Sequence, residues 1–344
     1  MAEGFETMNQ IFDKMAAFPR SGLMGGPTPL EPLQRLSEHL GIEFWIKRDD
    51  LTGLGGGGNK IRQLEYYLGA AQVEGADTIL ITGAVQSNYV RSAAAAAAKC
   101  GMKAVLQLED RVPGKGVIYR SSGNVLLGRL LGADYMQYPE GEDEAGADQA
   151  LRERAAELQA QGRAPYVIPL GLRNKPLGTL GYMNAAQEVL AQRDDFDAVA
   201  IPSGSGATHM GFLAGLRALG STTPVHGICV RRDAAAQADR LQEVATRLAA
   251  LLEVESWVTQ GDIQTSDTAL APGYGRVGPK TRDAIRLMAE TEGLFLDPVY
   301  SGKCFAGLID LVESGKITAG SRVLFVHTGG FPALFAYQDD VLPL

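Results

Sequence analysis

The chain has 344 residues, a net charge of -8, and 45% hydrophobic against 21% charged residues. That length exceeds one ordinary core and points to two domains, and the composition is that of a soluble globular protein. The acidic balance argues against nonspecific nucleic-acid binding, which needs basic surface to displace counterions. Cys100, Cys229 and Cys304 show no paired spacing, so neither a disulfide framework nor a structural zinc site is expected. Met1 to Arg20 carries acidic residues and no apolar signal core, and no apolar run approaches about 18 residues. A cytoplasmic protein without a membrane span is therefore expected.

The elements alternate along the chain. A β-rich run at Glu43 to Lys47 is followed by a helical pattern opening at Lys60. Strands at Thr78 to Thr82 and Ala104 to Gln107 flank a helix at Ser87 to Cys100. Helices at Asn124 to Leu131 and Gln149 to Gln161 precede a strand at Tyr166 to Pro169. A helix at Gly178 to Ala191 then leads to strands at Ala198 to Ile201 and Val225 to Val230. A helix at Arg282 to Glu292 and a strand at Val323 to Val326 complete the pattern. Such alternation predicts an α/β fold with parallel-rich sheets flanked by helices, and ligands beyond the carboxyl ends of strands. The acidic stretch Pro139 to Asp148 reads as a solvated loop, and Ala93 to Ala98 as a tightly packed helix.

The unusual residues gather in a few loops. Gly55-Gly56-Gly57-Gly58-Asn59-Lys60 cannot pack a core and costs backbone entropy on ordering. It reads either as a flexible loop before an exposed lysine, or as a turn holding a lysine for Schiff-base chemistry with a carbonyl cofactor. Gln86-Ser87-Asn88-Tyr89 sits at a strand-to-helix junction, where Ser87 or Asn88 could be a helix cap or could face a ligand. Ser203-Gly204-Ser205-Gly206-Ala207-Thr208 follows an apolar strand and suits a phosphate cup at a helix start, with a tight packing turn as the alternative. It is neither a dinucleotide fingerprint nor a P-loop. His327-Thr328-Gly329-Gly330 leaves Thr328 at a strand end. Tyr274, between Gly273 and Gly275, and Tyr300, in Asp297-Pro298-Val299-Tyr300-Ser301, could be packing residues or could supply hydroxyls to a cleft. His39, His209, His226 and His327 lack metal-like spacing and read as structural.

Taken in order, Gly-Gly-Asn-Lys, Gln-Ser-Asn, Ser-Gly-Ser-Gly-Ala-Thr, Ala-Pro-Gly-Tyr-Gly, Asp-Pro-Val-Tyr and His-Thr-Gly-Gly resemble the D-cysteine desulfhydrase and 1-aminocyclopropane-1-carboxylate deaminase family of pyridoxal-phosphate enzymes. The likeness runs from Pro27-Thr28-Pro29-Leu30 and Lys47-Arg48-Asp49-Asp50 to the last helix. It implies the two-domain, tryptophan-synthase-β-like fold type II. A larger cofactor-binding domain would comprise residues 1–58 and 172–344, with a smaller α/β domain, 59–171, inserted in it. A homodimer acting on a small amino acid is also implied.

Carried onto this chain, the resemblance makes Lys60 the covalent attachment of pyridoxal 5'-phosphate and the shuttle of the α-proton. Asn88 would meet the cofactor's 3-hydroxyl, Ser87 and Asn88 the substrate carboxylate, and Ser203, Gly204, Ser205, Gly206, Ala207 and Thr208 the phosphate. Thr328 would face the pyridine nitrogen. A neutral hydroxyl there withdraws less charge than a carboxylate, which favours elimination of a good leaving group over racemisation. Tyr274 and Tyr300 would orient substrate or assist proton transfer. Two departures bear on the substrate. Ser301 stands where the cyclopropane deaminases have an acid, and Tyr89 where the desulfhydrases have histidine. The expected reaction is α,β-elimination from cysteine or a close β-substituted alanine. L-Cysteate sulfo-lyase and L-cysteine desulfhydrase are the alternatives, and ring-opening deamination is less favoured.

Overall fold

The computed structural model describes residues 10–171 and 174–342. The first nine residues of the leader reading, and residues 172–173 at the expected domain boundary, lie outside the described residues.

Two sheets organise the chain. The strands are β1 (Leu30–Pro32), β2 (Glu43–Arg48), β3 (Thr78–Ala84), β4 (Lys103–Glu109), β5 (Asp134–Tyr138), β6 (Pro165–Ile168), β7 (Ala198–Ser203), β8 (Val225–Cys229), β9 (Gln264–Ser266) and β10 (Arg322–His327). Six form one sheet in the order β1-β2-β10-β7-β8-β9, and four form another in the order β5-β4-β3-β6. The smaller sheet is parallel throughout, and in the larger only β1 pairs antiparallel, with β2. All seven strands read from the sequence are present.

Parallel strands covered by helices on both faces must be apolar on both faces, and these are. Ile79, Leu80 and Ile81 of β3, and Val323 to Val326 of β10, are fully buried. One extended apolar cluster contains Ile79, Ile81, Val199, Ile201, Leu324 and Val326, so it joins the facing sides of the two sheets. A second, with Phe44, Ile46, Phe305 and Phe325, fills the other side of the larger sheet.

The six helices anticipated from the pattern, the one opening at Lys60 included, are observed, and among the described residues four more of at least seven residues appear at Gln34–Leu40, Ala207–Ala218, Ala234–Leu252 and Ser301–Glu313. The reading of Pro139 to Asp148 as a solvated loop is corrected. A helix runs from Glu144 to Ala160, capped by Asp143, whose carboxylate accepts from the Gly146 N–H at 2.9 Å. Asp148 is buried and accepts from the N–H groups of Leu170 and Gly171, both at 3.0 Å, so its charge is spent on backbone donors.

Candidate active site

The carboxyl ends of strands from both sheets converge on one cleft with about 860 Å³ of atom-free space, its open mouth included. Thr82, Gly83 and Ala84 enter from the end of β3, Arg111 from beyond β4, Leu170 from beyond β6 and Pro202 from β7. Arg231 enters beyond β8 and Thr328 beyond β10. This is where an α/β sheet offers free backbone groups and helix starts to a ligand.

Lys60 lines the cleft as the first residue of the Lys60–Val73 helix. The glycines before it are ordered. Arg91, fully buried, donates to the carbonyls of Gly55 at 2.6 Å and Gly57 at 2.9 Å. Gly57 has φ +69°, and a Cβ there would meet the Asp50 carbonyl oxygen at 1.9 Å, so only glycine fits. The flexible-loop alternative therefore fails. Burial pushes the Lys60 ammonium down to about 8. Among the described residues no carboxylate lies within ion-pair distance of it, and the ring of Tyr89 lies 5.1 Å from its nitrogen. Tyr89 is itself kept neutral, because burial holds its phenol well above the ordinary value.

Ser87 caps the Asn88–Lys99 helix and accepts from the Val90 N–H at 3.2 Å, so the cap reading holds for Ser87 while it also lines the cleft. Asn88 accepts from the side-chain amide of Asn124 at 2.9 Å, leaving its own amide donor toward the cleft. Gly330 leaves room for that amide and for Asp297: φ is +99° there, and a Cβ would stand 2.6 Å from both the Asn88 nitrogen and the Asp297 Cβ.

The loop after β7 leads into the Ala207–Ala218 helix, and Gly204, Ser205, Gly206 and Thr208 line the cleft. Thr208 accepts from Asn59 at 2.8 Å and from Gln63 at 2.7 Å. Both lone pairs are used, and the one hydrogen-bonding capacity left is the hydroxyl proton, which suits an anionic oxygen at a helix start. The residues present thus fit a phosphorylated carbonyl cofactor, with a neutralisable amine on one side and an anion cup on the other.

Three expected site residues fall outside the cleft lining. Ser203 is fully buried; side chains alternate along a strand, so with Pro202 and Gly204 toward the cleft its hydroxyl turns inward to His209 (3.1 Å) and Gln237 (2.9 Å). Ala207 borders an adjoining depression with Ser205. Ser301 is fully buried and donates to Asp297 at 2.8 Å, in a turn whose Asp297 carboxylate also accepts from Val299, Tyr300 and Ser301 N–H groups. The expectation that Ser301 contacts substrate is corrected: it is a clamp behind the site.

Tyr274 and Tyr300 both line the cleft, their hydroxyls 2.9 Å apart and their rings edge to face at 77°. Burial first, then Tyr274, holds the Tyr300 phenol well above its ordinary value, so it stays protonated. Thr328 lies in the lining, and its carbonyl accepts from the Asn59 N–H at 3.1 Å, tying the last strand to the lysine turn.

An arginine group that no loop motif announces also gathers here. Arg111 donates from Nε to Glu109 at 2.8 Å. Arg231, Arg232 and Arg240 converge on Glu144 at 2.6, 2.9 and 3.2 Å. Arg111, Arg231, Arg240 and Glu144 line the cleft, and Glu144 is the only carboxylate among its described lining residues. The available signal was position, since Arg111 and Arg231 each stand two residues beyond a parallel strand.

The two-sheet fold and this cleft are those of an α/β enzyme, with Lys60 and the start of the Ala207–Ala218 helix both at the cleft. Residues 23–329 match the family model described as pyridoxal-phosphate dependent enzyme, and the chain belongs to that family. It is 43% identical over 331 residues to a D-cysteine desulfhydrase of Yersinia enterocolitica, covering 95% of this chain and 98% of that protein. A D-cysteine desulfhydrase of Klebsiella pneumoniae subsp. pneumoniae is 43% identical over 330 residues, with the same coverage. Among solved structures, an ACC deaminase homologue superposes with a TM-score of 0.86 at 38% identity, covering 97% of this chain and 98% of its own. Threonine deaminase isoform 2 from Solanum lycopersicum, at 18% identity and a TM-score of 0.69, shares the fold, covering 98% of this chain and 94% of its own. The expected fold type II architecture is the one observed.

Proposed function

We propose that this enzyme eliminates the β-substituent of cysteine, D-cysteine first among its enantiomers, giving pyruvate, ammonia and sulfide. The observation that carries this reading is the convergence of Lys60, the Thr208 cup and the Tyr274–Tyr300 pair in one cleft. The D-cysteine desulfhydrase relatives support the choice of substrate. Pyridoxal phosphate, when bound, supplies the conjugated electron sink that lets the Cα–H bond be broken. Lys60 would hold the cofactor through its aldehyde carbon; once displaced by the substrate's own amine, its free amine, neutral in a larger fraction than that of an exposed lysine, would take the proton from Cα. Ser87 and Asn88, at the helix start, would bind the substrate carboxylate, and Thr328 would offer a neutral hydroxyl to the cofactor ring. Tyr300, protonated at neutral pH, gives its proton to the sulfur leaving Cβ, and Tyr274 orients it. The released enamine takes up water to yield pyruvate and ammonia.

A second reading, loss of sulfite from L-cysteate, is favoured by the cationic wall formed by Arg111, Arg231 and Arg240. A sulfonate carries a charge that a neutral thiol lacks, and arginine matches planar or tripodal oxyanions well. The experiment is keto-acid and sulfur-product release from D-cysteine, L-cysteine, L-cysteate and 1-aminocyclopropane-1-carboxylate in parallel. Pyruvate with sulfide is expected; sulfite from L-cysteate supports the second reading, and 2-oxobutyrate contradicts both.

The assembly we propose is a cytoplasmic homodimer, with a smaller unit at 59–171 inserted in a larger one made of 1–58 and 172–344. Phe295, Phe331 and Phe335 support the dimer: each is exposed, and their rings adjoin, tilted at 6.0 Å and edge to face at 5.3 Å, as one aromatic surface. Light scattering is expected to give twice the chain mass, and Phe335→Asp to halve it.

A further inference from the structure

We propose that Lys303 is a positioning residue, a built-in cation that grips the loop carrying Tyr274 and sets the Tyr274–Tyr300 pair. This rests on the reading that the two tyrosines act in the cleft. Lys303 is fully buried, and a lysine so placed ordinarily has a carboxylate partner. Among the described residues none lies within ion-pair distance. Its ammonium instead donates to two backbone carbonyls, Leu270 at 2.5 Å and Gly273 at 2.7 Å. That is the environment a bare monovalent cation would find.

The position carries two costs. Burial lowers the Lys303 pKa to about 8, and the residue is the third of the Ser301–Glu313 helix, whose positive end disfavours a cation. A methionine would fill the same space with neither cost. What the ammonium provides is a link between two segments. Tyr300 immediately precedes the helix that bears Lys303, and Tyr274 follows directly on Gly273. The loop's own ties at these carbonyls are turn bonds, Gly273 N–H to Leu270 at 2.9 Å and Arg276 N–H to Gly273 at 3.3 Å, while Ala271 and Pro272 are exposed. The ammonium therefore fixes how far Tyr274 stands from Tyr300, a separation of 2.9 Å between hydroxyls.

The test combines hydrogen exchange of the resting holoenzyme with turnover. In Lys303→Met, amides of residues 270–276 are expected to exchange faster, with cofactor absorbance retained and kcat lower by on the order of 10²-fold, as for a misplaced reacting group. Tyr274→Phe combined with Lys303→Met is expected to be no slower than Tyr274→Phe alone, because both act through one hydroxyl. Lys303→Ala is expected to regain protection and turnover with added potassium or methylammonium, neither of which alters the parent enzyme. Lys303→Arg, which keeps a cation, is the control should the neutral variants fail to fold, and is expected to preserve loop protection. Unchanged exchange, or multiplicative losses in the double variant, would overturn the proposal. Faster exchange with unchanged turnover would remove the positioning role. A parent enzyme inactive on every cysteine would defeat the elimination reading while leaving the exchange result standing.

Discussion

Arg62 and Asp49 form a fully enclosed bidentate pair two residues beyond Lys60, with Nε–Oδ2 at 3.0 Å and Nη2–Oδ1 at 2.8 Å. Tyr182 donates to the same carboxylate at 2.6 Å and Thr28 at 2.8 Å, while Glu188 holds the other side of Arg62 at 2.8 Å. The network bolts the lysine helix to β2 and to the Leu177–Gln192 helix. It ties Thr28, Lys47 and Asp49 to a site they do not line.

Removing one partner of an enclosed pair strands the other charge. Asp49→Ala is expected to lower stability by about 3–5 kcal/mol in urea unfolding. Burial alone would raise the Asp49 pKa, but Arg62 overrides it and the net shift is downward. Its contribution is therefore present at neutral pH and is lost as pH falls through the folded value. The stability gap between parent and Asp49→Ala should narrow in acid; a gap that widens would contradict the pairing.

The lysine gives a second pH signature. Its pKa lies below the ordinary 10.5, at about 8, so the reactive neutral amine falls roughly tenfold per pH unit below that value and is constant above it. The rate of cofactor uptake by the apoprotein, followed by absorbance from pH 6.5 to 9.5, is expected to rise and then level off near pH 8. A rise that continues toward pH 10 would mean an unperturbed lysine.

Tyr300→Phe separates proton donation from packing. Loss of a general acid costs on the order of 10²–10⁴-fold in kcat for cysteine. Elimination from β-chloroalanine needs no proton on its leaving group and is expected to be largely spared. Equal losses on both substrates would assign Tyr300 a structural role.

Tyr89 lies beside the lysine amine and lines the cleft. Tyr89→His introduces a smaller, titratable ring. The ratio of D- to L-cysteine turnover is expected to rise; an unchanged ratio would show that enantiomer choice resides elsewhere.

Central strands were legible because they are apolar on both faces, as in Ile79-Leu80-Ile81 and Val323-Leu324-Phe325-Val326. The three strands that escaped, β1, β5 and β9, are all sheet edges, where one side needs no partner and short polar sequences suffice. Lys60, Asn88, Tyr89, Thr208, Tyr274, Tyr300 and Thr328 were readable from loop motifs and do line the cleft. Ser203 and Ser301 misled because a motif gives residue order, whereas strand alternation and a carboxylate clamp decide which way a hydroxyl points. Glu144 was hidden for the opposite reason: its partners Arg231, Arg232 and Arg240 lie some ninety residues away, and nothing local distinguishes it from the solvated acids beside it.

Lys60 is the residue proposed to hold the cofactor. Borohydride reduction of the holoenzyme followed by peptide mapping tests it directly, because Lys47 and Lys303 are also enclosed and serve as internal competitors. The pyridoxyl label is expected on Lys60 alone, with Lys60→Ala unlabelled, folded and inactive on D-cysteine. A label on another lysine, or sulfide release by Lys60→Ala at the parent rate, would contradict it.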